Sequence, residues 1–135
     1  MATDRDGYSD RVEVLLDTNA LIIPYQLGID IYAALGELLG SYEPLVLEDT
    51  VAELRGIARR GGREGVAARM GLAMAERARV VSGTSGDSVD ERIIHFAEER
   101  RCTVLTNDAA LRRALKRRGI NVISVRKLRK LEIFR

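Results

Sequence analysis

Short apolar runs that alternate with stretches of helical period constrain this chain more than any other feature. The runs are Val12–Asp17 (VEVLLD), Leu45–Leu47 after Pro44, Val80–Val81, Thr103–Leu105 and Ile120–Val125. They are too short for helices and read as buried strands. Between them, Thr18–Gly28 turns and begins a helix, and Ile31–Leu39 forms another with Gly40 at its C-cap. Thr50–Arg60 reads as a helix opened by Asp49 or Thr50 and closed by Gly61-Gly62. Glu64–Ala78 puts Val66, Met70, Met74 and Ala78 on one stripe. Ser88–Arg100 turns Ile93, Ile94 and Ala97 inward, and Asn107–Arg118 ends at Gly119. No hairpin signal joins the strands. The pattern predicts an α/β fold, a parallel sheet with helices on both faces. Ligands of such sheets bind beyond the carboxyl ends of the strands, at the switch point.

A length of 135 residues, with 46% hydrophobic and 31% charged residues, predicts a single soluble domain over 1–135. Residues 1–11 are expected to be a flexible N-terminus. Arg126–Arg135 is expected to be a basic tail, part of which packs through Leu128, Leu131, Ile133 and Phe134. One cysteine, Cys102, excludes an internal disulfide and a Cys-based zinc cage, and starts a strand as an inert buried thiol. No apolar run reaches the roughly 18 residues that span a bilayer. The N-terminus lacks the basic start and apolar middle of a signal peptide. The expectation is a reducing cytoplasmic compartment and no membrane partner.

The net charge of +2 conceals a segregation. Residues 1–54 carry −9, 55–79 carry +5, 80–108 carry −3 and 109–135 carry +9. Acidic chemistry beside a basic surface suits a polyanionic partner. Of the 22 basic residues 19 are Arg, whose planar fork binds phosphate bidentately. A high-GC genome accounts for an Arg excess equally well, but not for its clustering. Arg112, Arg113, Lys116 and Arg117 crowd one helix too tightly for all to be ion-paired within it, and are the expected RNA-binding residues. A solvated face that serves solubility is the competing reading.

Four carboxylates fall at the expected functional edge. Asp17 ends the first strand and Asp108 follows the fourth. Glu53 and Asp90 lie in the first turns of the helices after the second and third strands. Each has a plain structural alternative. Thr50-x-x-Glu53 and Ser88-x-x-Glu91 fit capping boxes, although the second accounts for Glu91 and not for Asp90. Asp108 could be a first-turn acid after an Asn107 cap. Asp17 is hardest to dismiss, because it follows Val14-Leu15-Leu16 directly. Two like charges about 4 Å apart repel by roughly 4 kcal/mol at an effective dielectric near 20. Four converging acids therefore call for a cation or for protonation. Oxygen ligands favour Mg²⁺ or Mn²⁺ over zinc, and such a metal beside a basic surface points to phosphodiester chemistry. Dinucleotide and P-loop glycine patterns are absent. Asn19 stands where an aspartyl-phosphate phosphatase would place a second Asp.

Asp17-Thr18-Asn19, Glu53 within Val51–Leu54, Asp90 with Ile93 and Ala97, and Thr106-Asn107-Asp108 together resemble the PIN-domain nucleases. The resemblance runs from Val12 to about Lys130. It extends to archaeal rRNA-processing-like and VapC-type PIN proteins through the Gly119–Arg126 segment and the Leu-rich basic tail. It implies a three-layer α/β/α sandwich with a five-stranded parallel sheet in the order 3-2-1-4-5. It also implies a catalytic set of Asp17, Glu53, Asp90 and Asp108, with Asp17, Asp90 and Asp108 as metal ligands. Glu53 would hold water or act as general base, and Asn19, Thr106 and Asn107 would orient water or phosphate. The activity implied is Mg²⁺- or Mn²⁺-dependent endoribonucleolysis with a 5′-phosphate product. The partners implied are RNA, an antitoxin or a ribosome-assembly factor, and a second copy of the chain. A non-catalytic RNA- or protein-binding module is the alternative. Many relatives carry paired aspartates at the third motif and some an acid at position 110. Here these are Asp90-Glu91 and Ala110, which leaves open whether one metal binds or two. His95 reads as a structural surface residue. Tyr8, Tyr25, Tyr32 and Tyr42 read as packing residues more than as base-stacking ones.

Overall fold

The structure, a computed structural model, describes residues 11–82, 85–126 and 130–134. Residues 1–10 of the expected flexible N-terminus, Tyr8 among them, lie outside the described residues, as do Lys127, Leu128, Arg129 and Arg135 of the tail. The elements run β1 (Val12–Leu16), α1 (Thr18–Leu27), α2 (Ile31–Leu39), β2 (Tyr42–Leu47), α3 (Glu48–Arg60), α4 (Gly62–Ala75), β3 (Arg79–Val81), α5 (Val89–Arg100), β4 (Thr103–Leu105), α6 (Ala109–Arg117), β5 (Val122–Arg126) and β6 (Lys130–Phe134).

The sheet order is β3-β2-β1-β4-β5-β6. The first five strands pair in parallel, in the order the resemblance implies. The sixth corrects that expectation: part of the basic tail forms β6, antiparallel to β5 from Arg126↔Lys130 to Val122↔Phe134. Leu131 and Ile133 alternate with polar residues, so one face of β6 can pack on the core while its backbone satisfies the outer edge of β5.

Alternate residues of each strand feed two cores. Val14, Leu16, Val46, Leu105 and Ile123 face α1 to α4, whereas Leu15, Leu45, Leu47, Val104 and Val122 face α5 and α6. This period of two on strands buried on both sides produces the three layers. Cys102 is buried in the second core, which pushes its thiol up to about 12 and leaves it inert.

Helix α4 departs from the periodicity reading. Its buried side is Gly65, Ala67, Ala68, Gly71 and Ala75, while Val66 and Met70 are exposed. A Cβ at Gly71 would stand 3.2 Å from the Leu54 side chain and 3.6 Å from that of Ile22. Close approach to α1 and α3 selects small side chains, which a search for large apolar ones passes over. Tyr32 and Tyr42 pack as expected: Tyr32 donates to the Met74 carbonyl (2.5 Å) and Tyr42 to the Tyr32 carbonyl (2.8 Å).

Candidate active site

The carboxyl ends of β1 and β4, the adjacent strands on either side of the switch point, each deliver an aspartate that caps the helix that follows. Asp17 is 4% exposed. Its Oδ1 accepts the Ala20 N–H (2.7 Å) and its Oδ2 accepts the Thr106 hydroxyl. Asp108 caps α6 by accepting the Leu111 N–H (2.8 Å). Here the expectation of an Asn107 cap is corrected, because the Asn107 side chain turns toward the sheet and accepts the Val125 N–H (2.8 Å). Thr106 is fully buried. It donates to Asp17, accepts the Asp108 N–H (3.0 Å), and its carbonyl receives the Ser124 hydroxyl (2.6 Å). One short segment therefore locks the two aspartates into fixed relation.

Glu53 is not a cap. Helix α3 starts at Glu48 with no side-chain cap, and Thr50 sits in its first turn with a buried hydroxyl that lacks a partner among the described residues. Glu53 Oε1 instead accepts the Thr18 hydroxyl (2.5 Å). At α5, Ser88 accepts the Glu91 N–H (3.1 Å), while Glu91 reaches back to the Asp87 N–H (2.8 Å). Glu91 is thus spent on the helix entry.

The cleft so formed holds about 250 Å³ and is lined by Asp17, Thr18, Asn19, Glu53, Ile57, Asp90, Ile93 and Asp108. All four expected acids meet there. Of the three residues expected to orient water or phosphate, Asn19 lines the cleft, whereas Thr106 and Asn107 are engaged within the fold. The Thr18 contact, the Ser124 support and the Ile57 and Ile93 walls escaped sequence reasoning. The lone Ser in the apolar run Val122–Val125 was the one signal that could have flagged Ser124.

Burial pushes the Asp17 carboxyl up to about 7; the bonds from Thr106 and Ala20 oppose the rise, and the Asp90 and Asp108 charges add to it. Asp90 is exposed overall, yet partial desolvation of its carboxyl in the cleft raises it, and Asp108 and Glu53 raise it further. Several acids elsewhere in the molecule are ion-paired. Arg100 forks onto Glu13 (3.0 and 2.9 Å), Arg79 and Arg11 approach Glu43, and Arg92 meets Asp49 (2.9 Å). Among the described residues, none of the cleft acids has a Lys or Arg partner. Nor do any three His, Cys, Asp or Glu side chains among them stand close enough to cage an ion unaided. An all-oxygen donor set around uncompensated charge fits a hard divalent cation whose remaining positions are filled by water or substrate.

Helix α6 leads away from Asp108. Arg113, Lys116 and Arg117 are exposed and Arg112 is half-buried. Arg118 lies 3.7 Å from Glu98, and Lys116 stands over the Phe134 ring at 5.2 Å. His95 Nδ1 is 2.5 Å from the Ser85 carbonyl, outside the cleft lining.

A family model described as "PIN like domain" matches residues 14–128. Ribonuclease VapC9 of Archaeoglobus fulgidus is 35% identical over 124 residues, covering 90% of this chain and 89% of that protein. The solved structure of the PIN domain endonuclease Utp24 superposes with a TM-score of 0.74 at 28% identity, covering 91% of each chain. The structure of VapBC2 from Rickettsia felis, bound to a DNA fragment from their promoter, shares the fold with a TM-score of 0.63 at 15% identity. That match covers 84% of this chain and 98% of that one.

Proposed function

The chain belongs to the PIN-domain nuclease family, and on that premise we propose that it is an endoribonuclease that uses Mg²⁺ or Mn²⁺ to hydrolyse RNA phosphodiester bonds. The observation that carries the proposal is the convergence of Asp17, Glu53, Asp90 and Asp108 on one cleft with no basic partner among the described residues. A bound divalent cation supplies polarisation of a phosphate oxygen and a lowered pKa for water.

Asp17, Asp90 and Asp108 would hold that cation, directly or through water, Asp17 from a locked position and Asp90 and Asp108 as exposed acids. Glu53, oriented by the Thr18 hydroxyl, takes the proton of the attacking water. Asn19 orients the phosphate at the cleft wall. The exposed cations of α6 hold the RNA backbone on its way to the cleft. The relatives named Ribonuclease VapC9 and PIN domain endonuclease Utp24 support the nuclease reading, and the resemblance leaves two roles, a VapC-type toxin with an antitoxin partner or an rRNA-processing enzyme with a ribosome-assembly partner. A short antitoxin-like reading frame upstream of the gene favours the first.

The test is cleavage of a structured RNA with and without Mn²⁺. Asp17→Asn removes the charge that holds the cation and should abolish cleavage, whereas His95→Ala should retain most of it. A folded wild type that binds RNA and never cuts it would favour a non-catalytic binding module.

A further inference from the structure

The loop between β3 and α5 is held by α5 itself. Glu91 accepts the Asp87 N–H (2.8 Å), Arg92 Nε donates to the Gly86 carbonyl (2.9 Å), and His95 meets the Ser85 carbonyl. Gly86 has φ +155°, and a Cβ there would come within 3.0 Å of Arg92 Cγ. The loop is thus fitted closely around that side chain. Arg92 also reaches further: its Nη1 donates to Asp49 Oδ2 at 2.9 Å, in the first turn of α3. Asp49 lies one helical turn before Glu53, and Arg92 two residues after Asp90. Helices α3 and α5 pack on opposite faces of the sheet and approach each other across the cleft. Each carries one of the two facing carboxylates, Glu53 and Asp90, whose like charges push them apart.

We infer that Arg92 is a positioning residue: by bridging Asp49 and the Gly86 carbonyl it fixes the gap between Glu53 on α3 and Asp90 on α5, where cation and scissile phosphate are to fit. The inference rests on the ribonuclease reading above. A guanidinium can serve both acceptors from its rigid fork, and a lysine ammonium has only a point charge on a flexible stem. Arg92→Lys should therefore behave nearly as badly as Arg92→Ala.

Two readouts test this. Spin labels at Arg59 of α3 and Glu99 of α5, both exposed, report the helix spacing in a Cys102→Ala background. Mn²⁺ affinity by calorimetry, with kcat and KM for RNA, reports the site. Arg92→Ala should widen and broaden the distance distribution. It should weaken Mn²⁺ binding about 10- to 100-fold, the usual effect of losing a group that orients metal ligands. It should lower kcat with little change in KM. Asp49→Asn, which leaves the loop bond in place, should shift each readout the same way by less, and decides the matter where Arg92→Ala fails to fold. The Asp49→Asn/Arg92→Ala double variant should be no worse than Arg92→Ala. Wild-type Mn²⁺ affinity in a folded Arg92→Ala overturns the inference, whether or not the distance changes. A wild type that binds no Mn²⁺ and cuts no RNA refutes the ribonuclease reading instead, and the distance measurement then judges the clamp by itself.

Discussion

Asp17→Asn should make the metal-free protein more stable, and increasingly so as pH rises. Burial lifts the Asp17 carboxyl from 3.8 to about 7. The folded state therefore keeps a proton that the unfolded chain releases from about pH 4 upward. Stability is lost as pH rises through the window from about 4 to about 7, and stays low above it. The difference between 3.8 and about 7 corresponds to about 4 kcal/mol. Asn removes that cost and keeps an oxygen for the Ala20 N–H, but its amide replaces the acceptor of the Thr106 hydroxyl. The mismatch costs about 1–2 kcal/mol. The net gain at pH 8 is about 2–3 kcal/mol, or about 10 °C in melting temperature for a domain of this size. At pH 4 the sign should reverse, by about 1 kcal/mol. Urea unfolding of both proteins in EDTA, from pH 4 to 8, measures the difference. A stability difference that is flat across that range, or an Asn variant less stable than wild type at pH 8, would show that Asp17 carries no desolvated charge.

Divalent metal should stabilise the wild type by about 2.7 kcal/mol at a hundred times its dissociation constant, read as a rise in melting temperature at matched ionic strength. An unchanged melt at several millimolar Mn²⁺ counts against the cation site. Replacing Arg113, Lys116 and Arg117 with Ser should weaken RNA binding regardless of sequence and flatten its salt slope by up to about 2, since each phosphate contact with single-stranded RNA adds roughly 0.7. An unaltered slope assigns α6 to solubility or to a protein partner. The chain should also self-associate, with Val66 and Met70 on the exposed side of α4 as the apolar contribution. Light scattering that shows a 15.0 kDa particle at micromolar concentration refutes this.

Much of the frame is local and was legible in the residues. Bounded by turn signals, the run Val14-Leu15-Leu16 reads as a strand buried on both faces, which places the acid that follows it at the sheet edge. Asp17, Asp90 and Asp108 could be placed around one cleft because strand ends and helix starts fix where a side chain emerges, whereas Glu53, expected in a first turn, reaches it from the second turn of α3. The choice of buried face on α4 was not legible. Close packing on Leu54 and Ile22 decides it, and it rewards the absence of side chain, which leaves no periodic signal. The tail was ambiguous for a related reason, since a β-strand at an edge needs a neighbour before its alternation means anything.

The hydrogen bonds within and beside the cleft join residues far apart in the chain. Thr106 lies 89 residues from Asp17, Glu53 35 from Thr18, and Arg92 43 from Asp49. The Ser88 and Glu91 box was legible because its partners lie within one turn, whereas the box read at Thr50 and the cap read at Asn107 were decided by the surrounding fold. Which distant hydroxyl or guanidinium meets which carboxylate depends on strand order and helix placement. That choice exists only once the sheet has closed and burial has made an unpaired polar group costly.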